Sequence, residues 1–245
     1  ITLLRETNAT LEAIAQALFK SWFVDFDPVR AKMEGRAPEG MDEATAALFP
    51  DSFEESALGL VPKGWGVGMF GDFISRLSVG KKYDQKIALP AGDVPILDQG
   101  KSGIIGFHNN PPGIVASLEE PVVVFANHTC YMRLITFSFS AIQNVLPFKG
   151  ATVDTVWAYY ATKDRVKFSE YKGHWPDFAI EKAVLPDGSL TNCFRDAVDP
   201  LMRRIRLNEV QAQTLATLRD TLLPRLISGQ LRLPEAMAEF EGMTA

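Results

Sequence analysis

Residues 199–231 read DPLMRRIRLNEVQAQTLATLRDTLLPRLISGQL, and their spacing governs the reading of the whole chain. Leu201, Ile205, Asn208, Ala212, Leu215, Leu218, Leu222 and Leu226 recur at steps of three or four. That is the period of a helix with one narrow apolar seam, the pattern of coiled-coil pairing. Arg203, Arg204, Glu209, Gln213, Arg219 and Asp220 fall on the other faces, so this helix is expected to need a single partner helix.

The opposite end of the chain offers that partner. Across residues 1–24 the same steps carry Leu4, Asn8, Leu11, Ala15, Leu18 and Trp22, again with an Asn near the start of the seam. The first stretch is expected to stop at Asp27-Pro28, because proline disfavours helical geometry in the residue before it. The second is expected to bend at Pro224 and end at Gly229, where positive φ suits the residue after a helix. Each would be about 35 to 45 Å long at 1.5 Å per residue.

Composition sets the outer bounds. The chain has 245 residues, 47% of them hydrophobic, which is enough for one large or two small domains with a real core. No run of about twenty apolar residues and no signal-peptide pattern is present, so a cytoplasmic protein without a membrane span is expected. Cys130 and Cys193 stand far apart without metal-ligand spacing and read as reduced structural thiols. The first residue is Ile1, already on the helical period, so either a fragment or a chain with further residues upstream is expected. The net charge of −5 disfavours nucleic acid at first sight. Its distribution is more favourable: residues 1–59 hold five Lys/Arg against eleven Asp/Glu, and residues 60–185 hold thirteen against eleven.

Between the two helices the pattern changes twice. Residues 28–64 are rich in Gly, Pro and charge and read as a surface connector, with a short helix over Met41 to Phe49 and Phe49, Phe53, Leu58 and Leu60 as apolar anchors. From Trp65, short β-like runs follow: Val94 to Leu97, Ile104 to Phe107, Val122 to Ala126, Tyr131 to Phe139 and Ile142 to Leu146. Residues 153–171 read as a helix and Ile180 to Leu185 as a further strand. The expected fold is α+β: a mixed, β-rich globular domain plus two long antiparallel coiled-coil helices.

No catalytic apparatus stands out. His108, His128 and His174 lack the helical pairing or the Cys and carboxylate companions of a metal site, so none is expected. Gly100-Lys101-Ser102-Gly103 lacks the spaced glycine and strand-to-helix setting of a phosphate loop and reads as a turn. What remains is a set of polar and basic loops on a β scaffold: Lys81-Lys82-Tyr83, Lys101-Ser102, His108-Asn109-Asn110, Asn127-His128-Thr129 and Lys172-Gly173-His174-Trp175. Lys and backbone N–H groups hold DNA phosphates, while Asn, Lys and hydroxyl side chains read base edges.

Two stretches resemble a known family. LEAIAQALFKSWFVDFDPVRAKMEGRAPEGMDEATAALFPDSFEESALGLVPKGW, residues 11–65, is similar to the central conserved region, and the entry into the second target-recognition domain, of type I restriction-modification specificity subunits. LNEVQAQTLATLRDTLLPRLISGQL, residues 207–231, resembles their distal conserved helix, whereas the middle matches only loosely. The resemblance implies a non-catalytic subunit. A target-recognition domain would read one half of a split site in double-stranded DNA, and the helices would set the spacing and dock modification and restriction subunits. AdoMet and adenine methylation would belong to the modification subunit, so this chain would need no cofactor of its own. It would comprise a first spacer helix at 1–27, the connector at 28–64, a recognition domain at 65–198, a second spacer helix at 199–231 and a tail at 232–245. With one recognition domain where the family has two, it would be either the distal half of a full subunit or a half-subunit that pairs as a homodimer.

Within that reading Lys81, Lys82, Lys101 and Lys172 are expected to contact phosphates, and Asn109, Asn110, His128 and His174 to read bases. The helix–helix seam is expected to run through Leu4, Leu11, Leu18, Leu201, Ile205, Leu215 and Leu222. The rival reading is a coiled-coil protein-interaction module without DNA recognition, favoured by the acidic charge; an enzyme in its own right is the third.

Overall fold

A computed structural model describes residues 1–100, 103–232 and 234. In chain order the elements are α1 (Thr2–Phe23), α2 (Asp27–Met33), α3 (Glu43–Ala47), β1 (Phe53–Ser56), β2 (Gly59–Pro62), β3 (Gly66–Met69), α4 (Phe70–Phe73) and β4 (Ile74–Arg76). They continue with β5 (Val94–Leu97), β6 (Ile104–His108), β7 (Val122–Ala126), β8 (Met132–Ile135), β9 (Ser140–Ala141) and β10 (Val145–Gly150). The chain closes with α5 (Thr155–Thr162), α6 (Trp175–Ile180), β11 (Lys182–Leu185) and α7 (Gly188–Ile227). Mixed helix and sheet with a long C-terminal helix is the expected class.

The chain forms two compact units, Gln16–Asp199 and, separately, Ile1–Ala15 with the chain from Pro200 onward. The larger unit therefore takes in the 28–64 connector and both junctions with the long helices, beyond the expected 65–198 segment.

The larger unit is built on β7. All five residues of VVVFA are buried, as a strand covered on both faces must be. It lies inside an antiparallel sheet of order β4-β10-β7-β8. Side chains alternate between faces. Val122 and Val124 meet Leu97, Ile114, Ile135, Phe139, Ala141 and Val145, which draws in the second sheet of order β6-β5-β9. Phe125 points the other way, onto Phe178 of α6 at 4.6 Å. A hairpin of β1 and β2 and a pair of β3 and β11 complete the strands.

The stretch around Ser21-Trp22-Phe23 shows why α1 stops where it does. The helix ends at Phe23, short of the expected 27, and Phe26 takes left-handed geometry with φ 58° to cap α2. Pro28 lies in the first turn of α2, so this proline starts a helix as well as preventing one from running through. Ser21 Oγ donates to Asp27 Oδ2 at 2.7 Å and fixes the turn.

Two expected boundaries are corrected. α7 begins at Gly188, eleven residues before the expected 199, and carries Pro200 inside it. An internal proline costs about 3 kcal/mol or more. Leu190, Phe194 and Val198, all fully buried at every fourth position, offset that cost. The helix expected over 153–171 ends at Thr162, and Asp164 turns the chain away with φ 59°.

In the smaller unit, Leu4, Leu11, Leu201, Ile205, Leu215 and Leu222 are half-buried, and Asn208 and Leu218 are buried. Leu18 is half-buried in the larger unit. Asn208 Nδ2 donates to Asn8 Oδ1 at 2.7 Å, and Asn8 Nδ2 donates to the Ile205 carbonyl at 3.1 Å. Asn8 thus meets residues 205 and 208 in the smaller unit.

Leu218 is 3% exposed and Leu207 62%. Leu218→Ala should cost about 2 to 3 kcal/mol, and Leu207→Ala no more than about 0.5 kcal/mol. Urea unfolding followed by circular dichroism measures both, and equal costs would contradict the seam.

Candidate functional site

The residues expected to meet DNA fall into two groups rather than one. Lys81, Lys82, Asn109 and Asn110 gather with Tyr83 and His108 at the C-terminal end of β6. His128, Lys172 and His174 gather with Gln99 and Tyr171 near its other end. Lys101 lies outside the described residues.

The first group rests on a stacked ring pair. Tyr83 and His108 are parallel within 7°, with centroids 4.1 Å apart, and both are buried. Tyr83 is anchored by its N–H, which donates to the Ala141 carbonyl at 3.2 Å. His108 is the last residue of β6, paired with Val94 of β5. The Asn110 N–H donates to His108 Nδ1 at 3.1 Å. The Tyr83 hydroxyl lies 3.3 Å from the same nitrogen, but parallel rings put it above the imidazole plane, off the axis of the lone pair. Nδ1 is therefore the acceptor for Asn110, and the ring proton sits on Nε2, which is buried with no protein partner among the described residues.

The loop that follows is tightly held. Asn109 Oδ1 accepts from the Asp93 N–H at 3.1 Å. Gly92 makes room for this: a Cβ there would come within 2.8 Å of Asn109 Oδ1. Pro111 and Pro112 stiffen the chain immediately after Asn110. Asn109, Asn110, Lys81 and Lys82 are all exposed, and Lys81 Nζ stands 5.3 Å from the Tyr83 ring centre.

The second group forms where three loops meet. The His128 N–H donates to Gln99 Oε1 at 3.0 Å, and Thr129 Oγ1 donates to the Gln99 carbonyl at 2.7 Å. Asn127 holds the third loop: its carbonyl accepts from the His174 N–H and its Oδ1 from the Trp175 N–H, each at 2.9 Å. Tyr171, 86% exposed, lies flat on the His128 ring at 4.9 Å and 13°.

The structure corrects the expectation for His174. Its ring is 1% exposed, with Nε2 3.1 Å from the Glu170 carbonyl and Nδ1 3.5 Å from Asp177 Oδ2. A ring so enclosed has no edge to offer a base; it holds the 170–177 turn together. His128 is half-buried and its Nδ1 is enclosed, which leaves only the Nε2 edge. Lys172 is exposed but paired with Asp177 at 3.2 Å and Glu170 at 3.3 Å, and these contacts, Asp177 first, hold its ammonium above the usual lysine range. Tyr171 and Gln99 were not among the expected residues. The interleaved run Lys167-Phe168-Ser169-Glu170-Tyr171-Lys172 carries an aromatic-and-basic signal, which reading 153–171 as helix conceals.

Among the described residues no group of three or more His, Cys, Asp or Glu is placed to hold a metal ion. Nor is any described helix long and apolar enough to cross a membrane.

Burial, then the charge of Lys81, push the His108 imidazole below its ordinary value of 6.5. The unfolded chain therefore takes up this proton first as pH falls. Stability should be unaffected by His108 above about pH 6.5 and decline below it, until the depressed folded value is passed. Thermal unfolding at about pH 7 and about pH 5.5 tests this: the midpoint of the natural chain should fall further than that of His108→Asn. Equal falls would remove His108 as a buried neutral ring.

No family model matches the chain. It is 22% identical over 256 residues to the type I restriction enzyme MjaIX specificity subunit of Methanocaldococcus jannaschii, covering 94% of this chain and 55% of that protein. It is 23% identical over 295 residues to the type I restriction enzyme HindI specificity subunit of Haemophilus influenzae, covering 94% and 64%. The chain thus spans less than two thirds of the length of either relative. Among solved structures it is similar to the type I restriction-modification S subunit of M. genitalium, at TM-score 0.49 and 14% identity over 91% of this chain and 57% of that one. The HsdS subunit of Thermoanaerobacter tengcongensis gives 0.42 and 13% over 93% and 58%.

Proposed function

We infer the function from kinship: the chain is related along nearly its whole length to the specificity subunits of type I restriction-modification enzymes. We propose that it reads one half of a split target in double-stranded DNA and scaffolds the subunits that act there. It catalyses nothing itself. Adenine methylation with AdoMet falls to modification subunits, cleavage to a restriction subunit, and the setting is the cytoplasm, where those partners meet the chromosome.

The observation that carries this reading is the 94% coverage by both curated relatives, which takes in both helices and the β-rich unit between them. The structure adds support from its loops. Lys81, Lys82 and Asn110 stand exposed on a rigid base, as phosphate and base contacts require. Lys172 could join them only by giving up its carboxylate partners. The net charge of −5 favours the rival reading, an interaction module without DNA recognition.

Co-expression with a type I modification subunit, followed by mapping of methylated adenines on genomic DNA, separates the two. A split motif is expected; a symmetric one would mean that two copies of this chain supply the two halves. No methylation above the level of the modification subunit alone would favour the interaction module. With the assembled complex, duplex binding should weaken steeply with salt, and Lys81→Ala and Lys82→Ala should each reduce the slope of log K against log salt by about one. Binding indifferent to salt would contradict phosphate contact.

A further inference from the structure

We propose that Tyr83 and His108 are positioning residues which aim Asn110 at an adenine in the major groove, so that this side chain specifies one A·T pair of the target. The inference rests on the specificity-subunit reading and narrows it to one amide and the two rings beneath it.

Three observations lead there. The first is that Asn110 is fixed through its backbone by a group that is itself fixed. Its N–H ends on His108 Nδ1 at 3.1 Å, and His108 is 3% exposed, clamped between its strand pairing and the Tyr83 ring. An exposed turn can satisfy its N–H with water, so this bond to a buried imidazole fixes the loop where solvation alone would not.

The second concerns the amide itself. Asn110 Nδ2 lies 3.5 Å from the Tyr83 hydroxyl, at the long end of hydrogen-bond distance. It uses one N–H of the amide. An asparagine amide carries both a donor and an acceptor. Adenine presents the complement in the major groove, with N7 as acceptor and N6–H as donor. Asn109 does not compete for this role, because its Oδ1 is engaged with the Asp93 N–H.

The third is the cation beside the pair. Lys81 Nζ, 5.3 Å from the Tyr83 ring centre, is exposed and within a side chain's reach of the same loop. A phosphate contact there would set the depth at which Asn110 enters the groove, and the ring pair links the two.

The test uses the full chain co-expressed with its modification subunit, with methylation motifs mapped on genomic DNA for the natural chain and for Asn110→Ala, Tyr83→Phe, Tyr83→Ala and His108→Ala. Asn110→Ala should relax a single A·T position by about ten- to a hundred-fold, the discrimination of one bidentate contact, and leave the remaining positions intact. Tyr83→Ala and His108→Ala should relax that same position, with Tyr83→Phe in between, because it keeps the stack and loses the hydroxyl. An unchanged motif in Asn110→Ala would overturn the proposal. So would ring variants that lower methylation at every position alike, the mark of a purely structural role. If His108→Ala fails to fold, Asn110→Ala and Tyr83→Phe decide, since the first alters an exposed side chain and the second removes one oxygen. Absence of any motif from the natural chain would overturn the specificity reading and this inference with it, whereas a motif indifferent to Asn110 would overturn only the inference.

Discussion

The larger unit depends on one aromatic ring. Phe194 of α7 is fully buried and meets Phe19 at 5.5 Å, Trp22 at 6.2 Å, Phe23 at 5.5 Å and Tyr160 at 5.6 Å. The contacts with Phe19, Trp22 and Phe23 join parts of the chain some 170 residues apart, and burial of these rings offsets the cost of closing that loop. The cluster extends through Trp157 to Phe73 and through Trp65 to Phe26 and Phe49. Within this unit the end of α1 and the start of α7 therefore share one set of rings. This also accounts for the sequence Ser21-Trp22-Phe23-Val24-Asp25-Phe26-Asp27-Pro28: three rings face the cluster, and the polar residues between them build the turn that brings the third ring round.

What could be read from the sequence follows from how each signal arises. The helix seam was legible because its period survives substitution of any single residue, and every expected seam position is at least half-buried. The β7 strand was legible because a covered strand needs an unbroken apolar run, and VVVFA is one. The start of α7 was not. Pro200 looks like a helix start in one dimension, and only the burial of Leu190, Phe194 and Val198 shows why the helix runs through it. Gly66-Val67-Gly68-Met69 escaped notice as β3 for a related reason: its pairing with β11 lies more than a hundred residues away and leaves no local mark.

At the candidate site the sequence revealed which loops are polar but not which side chains face outward. His108, His128 and His174 are equivalent as letters. In the structure one is the buried base of a loop, one is half-covered by Tyr171, and one closes the turn that carries Lys172. Histidine suits all three roles because its ring has an apolar body with a donor and an acceptor at its edge. Which role it takes depends on partners distant in sequence, such as Tyr83 for His108 and Asn127 for the His174 backbone.

The Asn8–Asn208 pair presents the opposite case, a polar contact where apolar packing would be more stable. Asn208 is buried, and its Oδ1 has no protein partner among the described residues. A seam of leucines alone would pack almost as well after slipping by one heptad, since its spacing repeats. A slip would set both amides against apolar neighbours and leave their polar groups unpaired, so the pair adds to the cost of any other register. In the proposed function that cost has a direct use. One heptad is about 10 Å of helix, and about 10 Å is three base pairs of DNA. If these helices set the spacing of half-sites, an amide pair in the seam adds to what holds them to one length.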